Sequence, residues 1–330
     1  MNLSNSKPKS FGRRSIIATV ATLPLARFAW ANSFPTKPVK LVVPFTPGTA
    51  ADIIGRQLGS RLADLWGQSV VIENQPGAGG NIGAAIVARA TPDGHTLAVL
   101  GLNHAINPSL YTTTGYDLLR DFRPIAKIAS VPLAIVVNPK FGPNNIQELV
   151  ALAKAKPGEI HYGSSGSGSV THLTFELLKL QTGVRMVHVP YKGVAPMLAD
   201  ILGNHIPIGA PAAASVVSHV KTGALKILAV TSPKRSSAFP DVPSVAEQGF
   251  TGFDVTGWNG LVAPAGTPEW IISKIYADVL RIAQAPDFMN LVRQQNMEMD
   301  LLGPADYGRE FVADLAKWSR LIKVSGAKVD

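Results

Sequence analysis

The chain contains no cysteine. That absence excludes disulfide staples, thiolate catalysis and cysteine-bound metals, and it suits an exported protein with no thiol to mispair. Charged residues make up only 16% of the chain and aromatic residues 7%, against 46% hydrophobic positions. A chain of 330 residues with that balance can bury a sizeable core, has room for two modest domains, and is not disordered. Beyond residue 31 no apolar run approaches the roughly 18 residues that a membrane-spanning helix needs. Basic runs and basic–aromatic interleaving are also missing, so no nucleic-acid partner is expected. The formal charge of +9 comes largely from the first 31 residues, which hold Lys7, Lys9, Arg13, Arg14 and Arg27 and no acid. Without them the chain is close to charge balance.

Several catalytic signatures are absent as well. The segment "GAGGNIG" has Gly77 and Gly79, but Ile82 stands where the dinucleotide fingerprint wants glycine and Gly83 comes one position late. The loop "YGSSGSGSVTH" lacks the Gly-Lys-Ser/Thr of a phosphate loop, and no serine in it is flanked as Gly-x-Ser-x-Gly. His172 follows Ser165 and Ser169 closely, yet a serine and a histidine in one loop are weak evidence of catalysis. The seven histidines show no i, i+3 or i, i+4 pairing among themselves and read mostly as surface or strand-end residues, so no metal site is expected. No cofactor is expected, and no pair of carboxylates can be placed for acid–base work.

What is present begins with an export signal. Basic residues precede the apolar run "SIIATVATLPLA", and Ala29-Trp30-Ala31 is a small-x-small cleavage site before Asn32. Arg13-Arg14 fits a twin-arginine route as well as the general secretory one. The expected location is the periplasm, with residues 1–31 removed. Thereafter short β-rich runs ("VKLVVPF", "SVVIEN", "HTLAVLG", "PLAIVVNP", "EIHYG", "RMVHVPY", "HIPIGA", "LKILAVTS", "FDVTGWNGLVAP") alternate with apolar periods of three and four. This alternation predicts an α/β fold with mostly parallel sheets. Three junctions are unusually small and polar: "VVPFTPGTAADIIGRQL", where Thr49 to Asp52 has capping-box spacing, "IENQPGAGGNIGAAIVARA", and the serine-rich loop. In α/β sheets such junctions lie beyond strand ends, where helix N-termini offer unpaired N–H groups to an anion.

The segments "KPVKLVVPFTPGTAADIIGRQL", "VIENQPGAGGNIGA", "TPDGHTLAVL", "HAINPSLY", "YGSSGSGSVTHLTFELLK", "VPYKGVAPMLADILGNHI" and "FPDVPSVAEQGFTGFDVTGWNGLVAPAGTP" together resemble the Bug-type receptors, the periplasmic substrate-binding proteins of tripartite tricarboxylate transporters. The resemblance runs in order over residues 34–330. It implies a two-lobed periplasmic binding-protein fold of type II-like architecture, each lobe a mostly parallel sheet flanked by helices, with two crossover connections near "SVPLAIVVNP" and "GWNGLVAP". Lobe 1 would hold residues 32–130 plus 257–330, and lobe 2 residues 131–256. It also implies a non-enzymatic, monomeric receptor that hands a small organic acid (a di-, tri- or aromatic carboxylate) to membrane permease subunits. The rival roles are a ligand sensor for a signalling partner and an exported enzyme on the same fold. By position the ligand loops would be 45–52, with Phe45, Pro47, Gly48, Thr49, Ala50 and Asp52, and 164–172, with Ser164, Ser165, Gly166, Ser167, Gly168 and His172. Two positions depart from the family pattern: Thr49 replaces a second glycine, and Pro207 replaces a frequent acid.

Overall fold

The computed structural model describes residues 1–3, 33–295 and 297–328. The expected export segment therefore lies, apart from its first three residues, outside the described part. From Pro35 onward the chain forms one unit, built on two sheets. In chain order its first elements are β1 (Val39–Val43), α1 (Ala50–Trp66), β2 (Val70–Asn74), α2 (Asn81–Ala88), β3 (Thr96–Gly101), α3 (Asn103–Leu110) and β4 (Phe122–Pro132). Next come β5 (Ala134–Val137), α4 (Ile146–Ala155), β6 (His161–Ser164), α5 (Val170–Thr182), β7 (Val187–Pro190), α6 (Val194–Leu202), β8 (Ile208–Gly209), α7 (Val217–Lys221) and β9 (Lys226–Val230). The last are β10 (Thr256–Pro264), α8 (Glu269–Ala283), α9 (Pro286–Gln294), β11 (Glu298–Leu302) and α10 (Pro304–Ser325). One sheet has the order β11-β4-β10-β3-β1-β2 and the other β7-β6-β8-β5-β9.

The expectation of mostly parallel sheets holds only in part. β1 pairs in parallel with β2 and β3, and β6 with β7 and β8. Every other ladder is antiparallel: β10 with β3 and β4, β11 with β4, and β5 with β8 and β9. The reason is connectivity. β4 runs through Leu133 straight into β5 of the other sheet, and β10 returns from that sheet, so neither joins its neighbours through the helical crossover that makes strands parallel. β4 and β11 were not among the runs read as strands.

The local sequence explains the elements that carry the two loops. β1 alternates little and is almost wholly buried, as a strand covered on both faces should be. α1 buries Ile54, Leu58 and Leu62 along one stripe and is capped at its start by the Thr49 hydroxyl, which accepts from Asp52 N. Gly67, at φ 61°, ends it in the left-handed conformation that glycine adopts without strain. α5 starts on Ser169, whose hydroxyl accepts from His172 N, and buries Leu173, Leu177 and Leu178.

Candidate functional site

β1 and β6 each end in a small polar loop that turns directly into α1 and α5. In the first loop Asp52 is 3% exposed and accepts three hydrogen bonds, from Gly48 N at 2.9 Å, Asn74 Nδ2 at 2.8 Å and Arg56 Nε at 3.0 Å. Burial alone would raise its carboxyl, but the bonds from Arg56, Gly48 and Asn74 outweigh that and hold it below the ordinary carboxylate range. The reciprocal arm of the capping box thus reaches Gly48 and not the N-cap itself. Asn74 Nδ2 also donates to Phe45 O at 3.0 Å, so β2 clamps the loop from the side.

The second loop is held from within and beneath. Thr171 Oγ1 accepts from Ser165 N at 2.8 Å and lies 3.0 Å from Ser165 Oγ. Gly166 N and Gly168 N donate to Ser164 Oγ (3.2 Å) and His172 Nδ1 (3.1 Å). Ser164 Oγ is 2.6 Å from His188 Nε2, and the His188 ring stacks on His172 with centroids 3.8 Å apart at 7°. Under this pair, Glu176 meets His172 Nε2 at 3.5 Å, Lys179 Nζ at 2.7 Å and the Tyr162 hydroxyl at 2.5 Å. Burial would push the Glu176 carboxyl up, yet the bonds from His172, Lys179 and Tyr162 bring it down to about 2. His104 and His172 are core residues, 0% and 6% exposed, and are the exceptions to the reading of most histidines as surface or strand-end residues.

Between these loops lies a cleft of about 170 Å³. One wall comes from Phe45, Thr49, Ala50 and Ala51 of the β1–α1 junction. A second comes from Gly101, Leu102 and Asn103 at the β3–α3 turn, a third from Val131, Gly257, Trp258 and Asn259 on the crossing strands, and Val170 at the start of α5 faces them from the other sheet. Of the predicted residues, Phe45, Thr49 and Ala50 line this cavity. Pro47, Gly48 and Asp52 are not part of its lining, and of the second loop only its continuation at Val170 reaches the wall. Several expected donors are already committed: the N–H groups of Gly48, Gly166 and Gly168 bond within the protein, and the Thr49 hydroxyl donates to Thr46 O at 3.0 Å. The N–H groups of Ala50, Ala51, Val170 and Thr171 have no protein partner among the described residues. They are the orphan donors of the first turns of α1 and α5. Pro207 is remote from the cleft, its carbonyl accepting from Asn138 N at 2.9 Å.

No lining side chain is ionisable. His104, whose ring meets Phe45 edge-on at 5.6 Å, is driven by burial to about 4 and is neutral at ordinary pH. Positive potential in the cleft therefore comes from helix starts and their N–H groups. Residues 101–103, Val131 and Asn259 had not been singled out. The junction signal at "LGLNHA" is weak, because Leu102, the N-cap of α3, makes no side-chain cap bond, and the crossing strands had been read only for their connectivity. Among the described residues no group of three or more His, Asp or Glu is placed to hold a metal.

Two α/β lobes joined by crossing strands, with helix starts from both facing one cleft, define a two-lobed solute-binding protein. The chain belongs to the tripartite tricarboxylate transporter receptor family, whose family model (Tripartite tricarboxylate transporter family receptor) matches residues 54–327. It is 34% identical to Protein BugT of Bordetella pertussis over 313 residues, covering 94% of this chain and 96% of that one. Among solved structures it is similar to an R. palustris protein solved with adipate (34% identity, TM-score 0.74, 90% of this chain and 100% of that one). It is also similar to MatC from Rhodopseudomonas palustris with bound malate (29% identity, TM-score 0.70, 88% and 100%). No described helix is long and apolar enough to cross a membrane.

Proposed function

We propose that the protein is a periplasmic solute receptor that closes on a small organic carboxylate and delivers it, without chemical change, to the permease subunits of a tripartite tricarboxylate transporter. On this reading residues 1–31 direct export and are removed after Ala31. Residues 32–130 with 257–330 act as one lobe and 131–256 as the other, and the receptor works as a monomer. The observation that carries the reading is the meeting of the first turns of α1 and α5, with their unpartnered N–H groups, on a cleft lined by no ionisable side chain. A carboxylate supplies the acceptors those groups lack, and bonds to an ionised acceptor are the stronger kind, worth about 1.5–3 kcal/mol each. The acids named with the two solved relatives, adipate and malate, belong to the same chemical class.

Titration calorimetry of acids against their methyl esters tests this directly. If two N–H groups meet one carboxylate oxygen pair, esterification should weaken binding by on the order of a hundredfold or more. Affinity should change little between low and high salt, since no exposed ion pair is screened. Equal affinities for acid and ester would refute carboxylate recognition, and a steep salt dependence would point to a lysine or arginine entering the site.

A further inference from the structure

Side chains on β10 alternate between the two faces of the sheet. Trp258 turns toward α10, where its indole N–H donates to Asp314 Oδ2 at 2.8 Å and its ring stacks on Phe311. Asn259 lines the cleft. It is only 6% exposed, and among the described residues its carboxamide makes no hydrogen bond to the protein, whereas Asn107, Asn138 and Gln248 are bonded and Asn81 is bonded through Oδ1 but not through Nδ2. The amide atoms of Asn259 are not sealed inside the protein as Asn81 Nδ2 is; they open on the cleft, where a ligand can meet them. Its place in the cleft is defined by Gly101. A Cβ added there would stand 3.6 Å from Asn259 Oδ1 and 3.6 Å from Phe45 Cζ, so the amide and the ring border the space that this glycine leaves open. Asn103, from the first turn of α3, contributes a second carboxamide to the lining.

An amide presents two N–H donors and one acceptor oxygen. The helix starts offer donors only, and a carboxylate answers donors only. Where the ligand displaces water from the cleft, the oxygen of Asn259 needs a ligand O–H or N–H, which a plain mono- or dicarboxylate does not carry at neutral pH. We propose that Asn259 is a specificity-determining residue that exchanges hydrogen bonds with a hydroxyl on the ligand, so that the preferred substrates are hydroxycarboxylates. The inference rests on the carboxylate reading above and narrows it. The hydroxyl donates to Asn259 Oδ1 and accepts from Asn259 Nδ2 or Asn103 Nδ2, while the carboxylate faces the first turns of α1 and α5. Phe45 and Leu102 contact the carbon skeleton.

The experiment compares matched acids that differ by one hydroxyl: lactate with propionate, malate with succinate, and mandelate with phenylacetate. Calorimetry on the full mature chain should show the hydroxy member of at least one pair binding about ten- to a hundredfold more tightly, the range expected when a buried amide gains or lacks its partner. In Asn259→Ala that ratio should fall to about one, with the hydroxy acid losing more affinity than its plain partner. Gly101→Ala, which fills the space beside Asn259 Oδ1, should lower the ratio without altering the amide. A ratio near one in the unmodified protein for every pair that binds overturns the inference and leaves the carboxylate reading intact. A hydroxyl preference that persists in Asn259→Ala overturns it as well. Failure of all six acids to bind, or binding no tighter than that of their esters, overturns both.

Discussion

The Glu176 carboxylate lies beneath the serine-rich loop with its side chain 7% exposed, held by His172, Lys179 and Tyr162. In the folded protein it titrates at about 2, against an ordinary 4.5. Because the folded value is the lower one, its contribution to stability is complete above about pH 4.5 and is lost as pH falls toward 2. In Glu176→Gln that contribution is absent at every pH. The stability gap between the two proteins in urea should therefore be about 2 kcal/mol smaller at pH 3 than at pH 6; a gap that stays constant would show that the depressed titration is not real. This arrangement was invisible in the sequence although His172 and Lys179 stand four and three residues from Glu176 on α5, because its remaining partner Tyr162 and the His188 that stacks on His172 come from two different strands. Asp52 was legible for the opposite reason. Its partners Thr49 and Gly48 are its own neighbours, and capping spacing is a local pattern. Asn259 was hidden because nothing in "GWNGLVAP" says which of its side chains faces a cleft.

Alternation of strands and helices made the α/β class legible, since a buried strand or amphipathic helix announces itself within a dozen residues. The strands that escaped, β4 and β11, carry charges where a buried strand should be apolar. Lys127 of β4 is 6% exposed and pairs with Asp300 of β11 at 2.8 Å and Glu310 of α10 at 2.6 Å; each charge alone reads as surface, and only their meeting makes burial tolerable. The junction of β6 with α5 shows the converse, a small residue whose need was visible but whose cause was not. At Gly163 a Cβ would collide with Ile206 Cδ1 and come within 2.8 Å of Met197 Cγ, both in the buried cluster that α6 forms against the sheet. Gly163→Ala should thus destabilise the protein by about 1–3 kcal/mol through overpacking, read as a lower urea midpoint with an unchanged slope. A midpoint equal to that of the unmodified protein would mean that α6 yields easily and that β6 is not fixed by this contact.

On the proposed function the lobes close on the ligand, and the bonds at the crossings indicate about which point. Leu133, between β4 and β5, and Val255, just before β10, both bond to Thr231 at the end of β9, a residue with no exposed surface. Thr231 N donates to Leu133 O at 3.0 Å, its hydroxyl accepts from Leu133 N at 3.1 Å and donates to Val255 O at 2.6 Å, and Val255 N donates to Thr231 O at 3.0 Å. Both passages of the chain are thereby pinned at one buried residue, and rotation about it displaces the lobe surfaces while few bonds change. Further bridges are α10, which packs on α3 and β4 of one lobe and on α5 of the other, and the bond from Ser237 N to Glu298 Oε1 of β11 at 2.7 Å, so closure has to slide α10 along α5. Small-angle scattering of the mature chain, alone and saturated with an acid that calorimetry has shown to bind, should give a smaller radius of gyration with ligand. Thr231→Val leaves Leu133 N buried without its partner and should reduce stability by about 1–3 kcal/mol; with the pin loosened, the unliganded radius should rise above that of the unmodified protein while the liganded one stays close to it. An equal radius with and without ligand in the unmodified protein would mean a preformed pocket, and the pinned crossings would then serve rigidity and not closure.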